Sequence, residues 1–436
     1  MDLVIRGARV CTPDGIRDGW DVVISNGKIK AVEPTRKDES RGPRHHKIVD
    51  ASGRYLLPGF IDVHLHGAEL FEFTAGYFQP ETGRFDNSDE SWRRGLPAYA
   101  RFLARTGVTS ACLATWAAPV EQLARSFGFL ADYMSADGNG ADGARFLGGN
   151  LEGTFINPGM AGAQNPSHTL DPDRKVFDAI NRAGAIRMAN ICPDRGGDAA
   201  LDLIGYVRQK GIMPGFGHTN ATGDQVAEAV RRGLRYCVHF LNGPIGGSHK
   251  PFGGAGAIEA VLRSREIYAE LITDTYHVLS AYLRDTIRRK GSDRVMAVTD
   301  QMFATGAPGV SGFTISGIRG QISPDRRYVH VADKPGTLFS SVLQMHIGFG
   351  NVLSLLTREM EGVWNAKHDP LPLDEAIMTA SRLFSTTAAE MLTIDDDAGA
   401  ISPGKRADLV ISHIKGRPGE YTLGIERTYV GGRQVF

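Results

Sequence analysis

Several absences narrow what this chain can be. Only four cysteines occur in 436 residues, Cys11, Cys112, Cys192 and Cys237, and no two form a C-x-x-C pair. In a chain this long they read as reduced thiols of a cytoplasmic protein, not as a disulfide framework. No run of 18 apolar residues exists, so no membrane-spanning helix is expected. The start, Met1-Asp2-Leu3-Val4-Ile5-Arg6, lacks the apolar stretch of a signal peptide. There is no excess of either charge: 49 Lys and Arg stand against 49 Asp and Glu. That balance gives neither nucleic acid nor an anionic membrane an electrostatic reason to bind. What is abundant is glycine, with 53 residues and no fixed period, which suits a fold of many tight turns. Hydrophobic residues at 42% and charged residues at 22% are ordinary globular values and exclude wholesale disorder. At roughly 100–200 residues per domain, the length allows two or three domains, or one large barrel with an appendage.

The two chain ends share one texture. Leu3-Val4-Ile5, Val22-Val23-Ile24 and Lys28 to Val32 read as strands, with a hairpin turn at Asn26-Gly27 where both residues tolerate positive φ. A polar stretch from Pro34 to His46 reads as a surface loop. Asp408 to Ile411 and Arg427 to Val430 are again strands, with Gly431-Gly432 turning into Val435. A small β-sandwich domain built from residues 1–55 and 391–436 is expected. Residues 56–390 differ, alternating short apolar strands with amphipathic helices. Strands are expected at 108–113, 145–151, 186–191, 213–217, 236–240, 268–272 and 295–299. With the one before His64 they make eight, the number of a (β/α)8 TIM-like barrel. An open doubly wound sheet is the rival, but no G-x-G-x-x-G follows the first strand.

Chemistry-bearing residues fall at equivalent places in this pattern. His64 and His66 close the run Phe60-Ile61-Asp62-Val63. Two residues apart on a strand, they point to the same side. Glu152 follows Leu151, His218 follows Phe216-Gly217, His239 ends Tyr236-Cys237-Val238, and Asp300 ends Val295 to Thr299. Any one alone is ordinary: a core histidine, a surface acid, a helix cap. All six, at the C-terminal ends of five different strands, converge on the mouth of a barrel. Imidazoles and carboxylates without thiolates suit Zn2+ first, with Fe2+, Mn2+ or Co2+ as alternatives, in one or two ions. Such an ion lowers the pKa of bound water and polarises a carbonyl. Asp300 can then carry a proton from water to a leaving nitrogen. The reaction class this pattern points to is hydrolysis of an amide or related C–N bond.

Pro58 to Gly67 resembles the first-strand motif of the amidohydrolase superfamily, and Ile401 to Val410 resembles the segment where that superfamily returns to its small β domain. Within it, the chain is most similar to the N-acetylglucosamine-6-phosphate deacetylases. The residues carrying this are Asn150-Leu151-Glu152-Gly153, Gly217-His218-Thr219-Asn220-Ala221-Thr222, His239-Phe240-Leu241-Asn242, Ala255-Gly256-Ala257 and Val298-Thr299-Asp300. The resemblance implies a metal-dependent deacetylase acting on a small N-acetyl amino sugar phosphate, commonly as a homodimer. It implies that Glu152, His218 and His239 are metal ligands, that His64 and His66 serve a second metal, and that Asp300 is the catalytic acid/base. His277 would help polarise the substrate carbonyl. Asn242 and the backbone of Gly243 would form the phosphate-binding turn, with Lys250, and His249 beside it, where relatives carry a phosphate-binding arginine. Gln164 stands near a substrate-contacting histidine of relatives.

Departures from the family pattern cluster in the substrate shell. Lys250 loses the bidentate fork of an arginine while remaining a point charge. Thr275 replaces a usual glycine before His277, and Phe339-Ser340-Ser341 replaces a smaller turn. Residues 69–89 are long and aromatic, either a lid over the mouth or a packed surface insertion, the insertion being preferred. The alternatives in function are an amidohydrolase for another N-acyl compound or cyclic amide, and a scaffold that has lost the chemistry. Cys192 at a strand end is expected to be structural, because a metal site needs no thiol nucleophile. Gly253-Gly254-Ala255-Gly256 is read as a turn, and Arg231-Arg232 and Arg288-Arg289-Lys290 as solvated helix faces.

Overall fold

The structure is a computed structural model, and it describes residues 2–35, 47–243 and 250–436. Most of the Pro34–His46 loop, and His249, lie outside the described residues. Eight parallel strands form one sheet in chain order: β1 (Phe60–Leu65), β2 (Val108–Ala114), β3 (Arg145–Phe155), β4 (Ile186–Ile191), β5 (Met213–Phe216), β6 (Tyr236–Cys237), β7 (Tyr268–Ile272) and β8 (Val295–Val298). Buried on both faces, these strands read as near-continuous apolar runs. Helices pack outside them. The helix Asp89–Arg105 buries Trp92, Leu96, Tyr99 and Leu103, one stripe at steps of four, three and four.

The barrel closes without a regular β8–β1 ladder. Just beyond the strand ends the backbone joins: Asp300 N–H donates to His64 O (2.8 Å) and His66 N–H to Gln301 O (2.7 Å). Lower in the seam, Asp62 of β1 accepts from the Thr299 hydroxyl at 2.6 Å. Burial pushes this carboxyl up to about 7, against the hydrogen bonds it receives. Below that, Ser385 donates to Gly59 O at 2.7 Å, and Phe60, Phe349 and Phe384 form an aromatic cluster with centroids 5.2–5.8 Å apart. Each such ring contributes about 1.5–3 kcal/mol by burial.

The expected terminal sandwich is one continuous eight-stranded sheet. Leu409–Arg417 runs antiparallel to Tyr55–Pro58, with Leu409 opposite Pro58 and Ser412 opposite Tyr55. Tyr55–Leu56 in turn pairs with Leu3–Thr12. Leu3, Ile5, Val22 and Ile24 share a core with Ile401, Leu409 and Tyr429. Because the terminal sheet reaches Pro58, it ends two residues before β1 begins and anchors that strand at its N-terminal end.

Two small antiparallel sheets are inserted in the barrel. Residues 67–86 form the first, with Phe71, Phe73 and Phe78 buried. None of residues 69–89 lines the central cavity, so this segment is a packed insertion. The second spans 312–338 and was not anticipated. Its period-two pattern is visible afterwards, with Phe313 and Ile315 buried between exposed Gly312 and Thr314.

Candidate active site

The site is built where strands stop and turn. His218, His239 and Asp300 all leave their strands with left-handed backbones, φ 51°, 25° and 51°. Non-glycine residues adopt this conformation at a cost, and such outliers cluster at functional sites. Local sequence secures the turns. The loop after His218 ends in a capping box, where Thr222 and Gln225 satisfy each other's backbone N–H and start the helix Gly223–Arg232. Asp194 accepts from the Thr219 hydroxyl (2.6 Å) and the Asn220 N–H (2.9 Å), tying that loop to the end of β4. Gly153, at φ 87°, lets Glu152 turn inward. A Cβ there would lie 2.4 Å from Ala117 N.

The six strand-end residues meet in space. Glu152 lies at the centre, 2% exposed. Its Oε1 is 3.2 Å from His218 Nε2 and 3.1 Å from His239 Nε2. Its Oε2 is 3.4 Å from His64 Nε2 and 3.5 Å from His66 Nε2. Asp300 Oδ1 completes the second side, 3.1 Å from His66 Nε2 and 3.7 Å from His64 Nε2. Two groups thus have ligand atoms within 4.8 Å of one another: His64, Glu152 and His239, and His64, His66 and Asp300.

This donor set fits a divalent ion. His64 and His218 each engage Nδ1 elsewhere, on Glu270 (2.9 Å) and on Met160 O (3.1 Å), which leaves Nε2 free to coordinate. His64 Nε2 is buried without a hydrogen-bond partner. Burial alone would drive Glu152 neutral. The surrounding imidazoles, His64 foremost, outweigh it and hold this carboxyl well below the usual range. Burial opposes charge on Asp300 too, and His66 and His64 overcome it. The carboxylates correspondingly raise His64 and His66 against the effect of burial.

A cavity of about 540 Å³ opens above this centre. His66, Glu152, His218, His239, Asp300, His277, Gln164 and Asn242 all line it. The imidazole of His277 is held by Asp274, 2.7 Å from its Nδ1. Asp274 also accepts the backbone N–H groups of Tyr276 and His277. Thr275 between them has φ 68°, a left-handed conformation costly for a β-branched residue, at the position where relatives' glycine was expected. Among the described residues, Asn242 Nδ2 is a buried donor without a hydrogen-bond partner. Gln164 Oε1 accepts from Ala117 N–H at 2.6 Å, so its carbonyl is committed to the wall. Gly243 turns back onto the loop, its N–H donating to His239 O and its O accepting from Thr219 N–H. Lys250 is exposed and outside the described lining.

The sequence reading missed the supporting carboxylates. Glu270 is fully buried and reaches His64 and His239. Glu72, fully buried and pushed up to about 7 by that burial, accepts from Trp116 Nε1 at 2.8 Å. Trp116 in turn stacks on His66, with centroids 4.2 Å apart. A signal existed for Glu270: it is a charge inside the otherwise uncharged strand Tyr268–Ile272. Cys192 is inert, its thiol pushed by burial up to about 12 and directed at Gly217 O. Gly253-Gly254-Ala255 is a turn packed against Thr222 and Asp224.

An eight-stranded barrel with imidazoles and carboxylates converging at its C-terminal mouth defines a metal-dependent hydrolase architecture. The amidohydrolase family model matches residues 55–435, and the chain belongs to that family. Among curated relatives, the chain is 28% identical over 422 residues to N-acetylglucosamine-6-phosphate deacetylase of Vibrio furnissii, covering 96% of this chain and 91% of that protein. It is 27% identical over 423 residues to N-acetylgalactosamine-6-phosphate deacetylase of Escherichia coli O157:H7, covering 94% and 95%. Among solved structures, it is similar to a variant N-acetyl-D-glucosamine-6-phosphate deacetylase of Mycobacterium smegmatis in complex with N-acetyl-D-glucosamine-6-phosphate. The TM-score there is 0.79 at 23% identity, over 100% of this chain and 99% of the other. No described helix is long and apolar enough to cross a membrane.

Proposed function

We propose that this protein is a metal-dependent deacetylase hydrolysing the N-acetyl amide of an amino sugar phosphate, N-acetylglucosamine-6-phosphate, to the free amine and acetate. The observation that carries the reading is Glu152 with an oxygen toward each of two histidine pairs, beside Asp300 and under a cavity that also holds His277. We assign His64, His66, Glu152, His218, His239 and Asp300 as the metal-holding set. These side chains would hold one or two divalent ions, Zn2+ first, with Fe2+, Mn2+ or Co2+ as alternatives, and Glu152 offers one oxygen to each histidine pair.

A bound divalent ion supplies Lewis-acid polarisation of the amide carbonyl and an acidified water. The chain's own residues do the rest. Asp300, held as a carboxylate, accepts the proton of the attacking water and returns it to the departing nitrogen. His277, its Nδ1 on Asp274, presents Nε2–H to the carbonyl oxygen as negative charge develops there. Asn242 Nδ2, a donor with no partner among the described residues, suits a phosphate oxygen, with Gly243 and Lys250 completing the phosphate turn and Gln164 framing the sugar. The buried Trp116 and Ile272 give the cavity apolar walls. The division into residues 1–55 with 391–436, and 56–390, the homodimer and the cytoplasmic location belong to the same reading.

The test is acetate release by Zn2+-loaded protein from N-acetylglucosamine-6-phosphate, N-acetylgalactosamine-6-phosphate and unphosphorylated N-acetylglucosamine. A strong preference for the first supports the assignment. Release from none of them, with metal bound, refutes it and points to another N-acyl compound.

A further inference from the structure

Glu270 sits in the middle of β7, beneath the metal-holding set, and has no exposed surface. A buried carboxylate is costly unless its charge is used. One oxygen, Oε2, serves two of the assigned ligands at once. It accepts from His64 Nδ1 at 2.9 Å and from the backbone N–H of His239 at 3.1 Å. The other oxygen, Oε1, is buried and makes no hydrogen bond among the described residues. His64 and His239 come from opposite parts of the sheet, β1 and the end of β6, and their rings lie 5.4 Å apart. The peptide at His239 is also the one held at φ 25°, so its N–H bond to Glu270 fixes an unfavourable backbone.

We propose that Glu270 is the positioning residue of this centre. It fixes the tautomer and direction of the His64 imidazole and pins His239 in its left-handed turn, so that both Nε2 atoms face Glu152. It touches neither substrate nor the reacting atoms. His64 belongs to both candidate ion groups, so loss of Glu270 weakens retention across the whole centre. The inference rests on the metal-holding assignment, but not on the identity of the substrate.

The variants E270Q and E270L separate the contributions. Glutamine keeps an oxygen for both donors and places its amide nitrogen where Oε1 made no bond. Leucine removes both hydrogen bonds at similar volume. Metal retained per chain is measured after equilibration against graded chelator, first with Zn2+ and then with Co2+, whose visible absorption reports ligand geometry. Disruption of such outer partners weakens metal binding by about 10–100-fold. E270L is expected to reach the upper end of that range with an altered Co2+ spectrum, and E270Q the lower end, with the melting temperature of metal-free E270Q unchanged. If E270L does not fold, E270Q decides alone. Wild-type retention and an unchanged Co2+ spectrum in E270Q would overturn the proposal. A wild-type chain that binds no divalent ion would overturn it together with the metal assignment. Metal retention that depends on Glu270 without acetate release would leave it standing and remove the deacetylase reading.

Discussion

Replacing Asp274 by asparagine tests the proposed role of His277 with little change in shape. In the native chain Asp274 Oδ2 is 2.7 Å from His277 Nδ1, and Oδ1 accepts two backbone N–H groups, of Tyr276 (2.9 Å) and His277 (3.0 Å). Burial works against both charges. The pairing outweighs it, so His277 is raised and Asp274 lowered. An adjacent opposite charge moves a pKa by about 1–3 units, or about 1.4–4 kcal/mol of preference for the charged form. In Asp274→Asn, the side-chain oxygen keeps the two backbone bonds and the amide nitrogen turns to His277 Nδ1. His277 then becomes a neutral imidazole with its proton on Nε2, a donor without a charge. Charge-assisted hydrogen bonds are roughly twice as strong as neutral ones, so kcat is expected to fall about 10–100-fold with KM little changed. The pH profile supplies the sharper reading. Wild-type activity is expected to decline on the alkaline side as His277 loses its proton at its raised pKa, and the variant is expected to lose that limb. Stability follows the same pair. The Asp274 contribution is lost as pH falls through its lowered folded value. The His277 contribution is fully present below the ordinary imidazole value and is lost as pH rises through its raised folded value. The stability gap between wild type and variant is therefore widest between the ordinary values, 3.8 and 6.5. A variant with wild-type kcat and an unchanged alkaline limb would refute the assignment of His277.

Other perturbations address the remaining parts. Asp300→Asn is expected to lower kcat by about 10²–10⁴-fold; unchanged turnover at equal metal content would remove Asp300 as the proton carrier. Metal affinity is expected to fall as pH drops, because the carboxylates raise His64 and His66 and a proton must leave each before it can coordinate. Titrating Zn2+ at several pH values checks this, and pH-independent affinity would contradict it. Gly153→Ala forces a Cβ to 2.4 Å from Ala117 N at φ 87°. Displacement of Glu152, with loss of bound metal and about 1–3 kcal/mol of stability, is expected from strain and overpacking, and metal analysis with thermal melting measures both.

How much of this was written in the chain can be argued residue by residue. That His64, His66, Glu152, His218, His239 and Asp300 would converge was legible because their placement depends only on local order: an apolar run, its end, and the rule that barrel mouths gather strand C-termini. The eight strands were legible for the same reason, although β3 runs on to Phe155 and β6 stops at Cys237. The sheet over 312–338 carried a period-two signal that short strands between glycines obscured. What only the tertiary structure decided is which atoms share a partner. Glu270 meets His64 across 206 positions of sequence, and His66 rests on a Trp116 held by Glu72. Nor could local order show that the two oxygens of Glu152 face different histidine pairs. Residue type and period fix where a side chain leaves the backbone. The hydrogen bond that aims it depends on strands brought together only when the barrel closes.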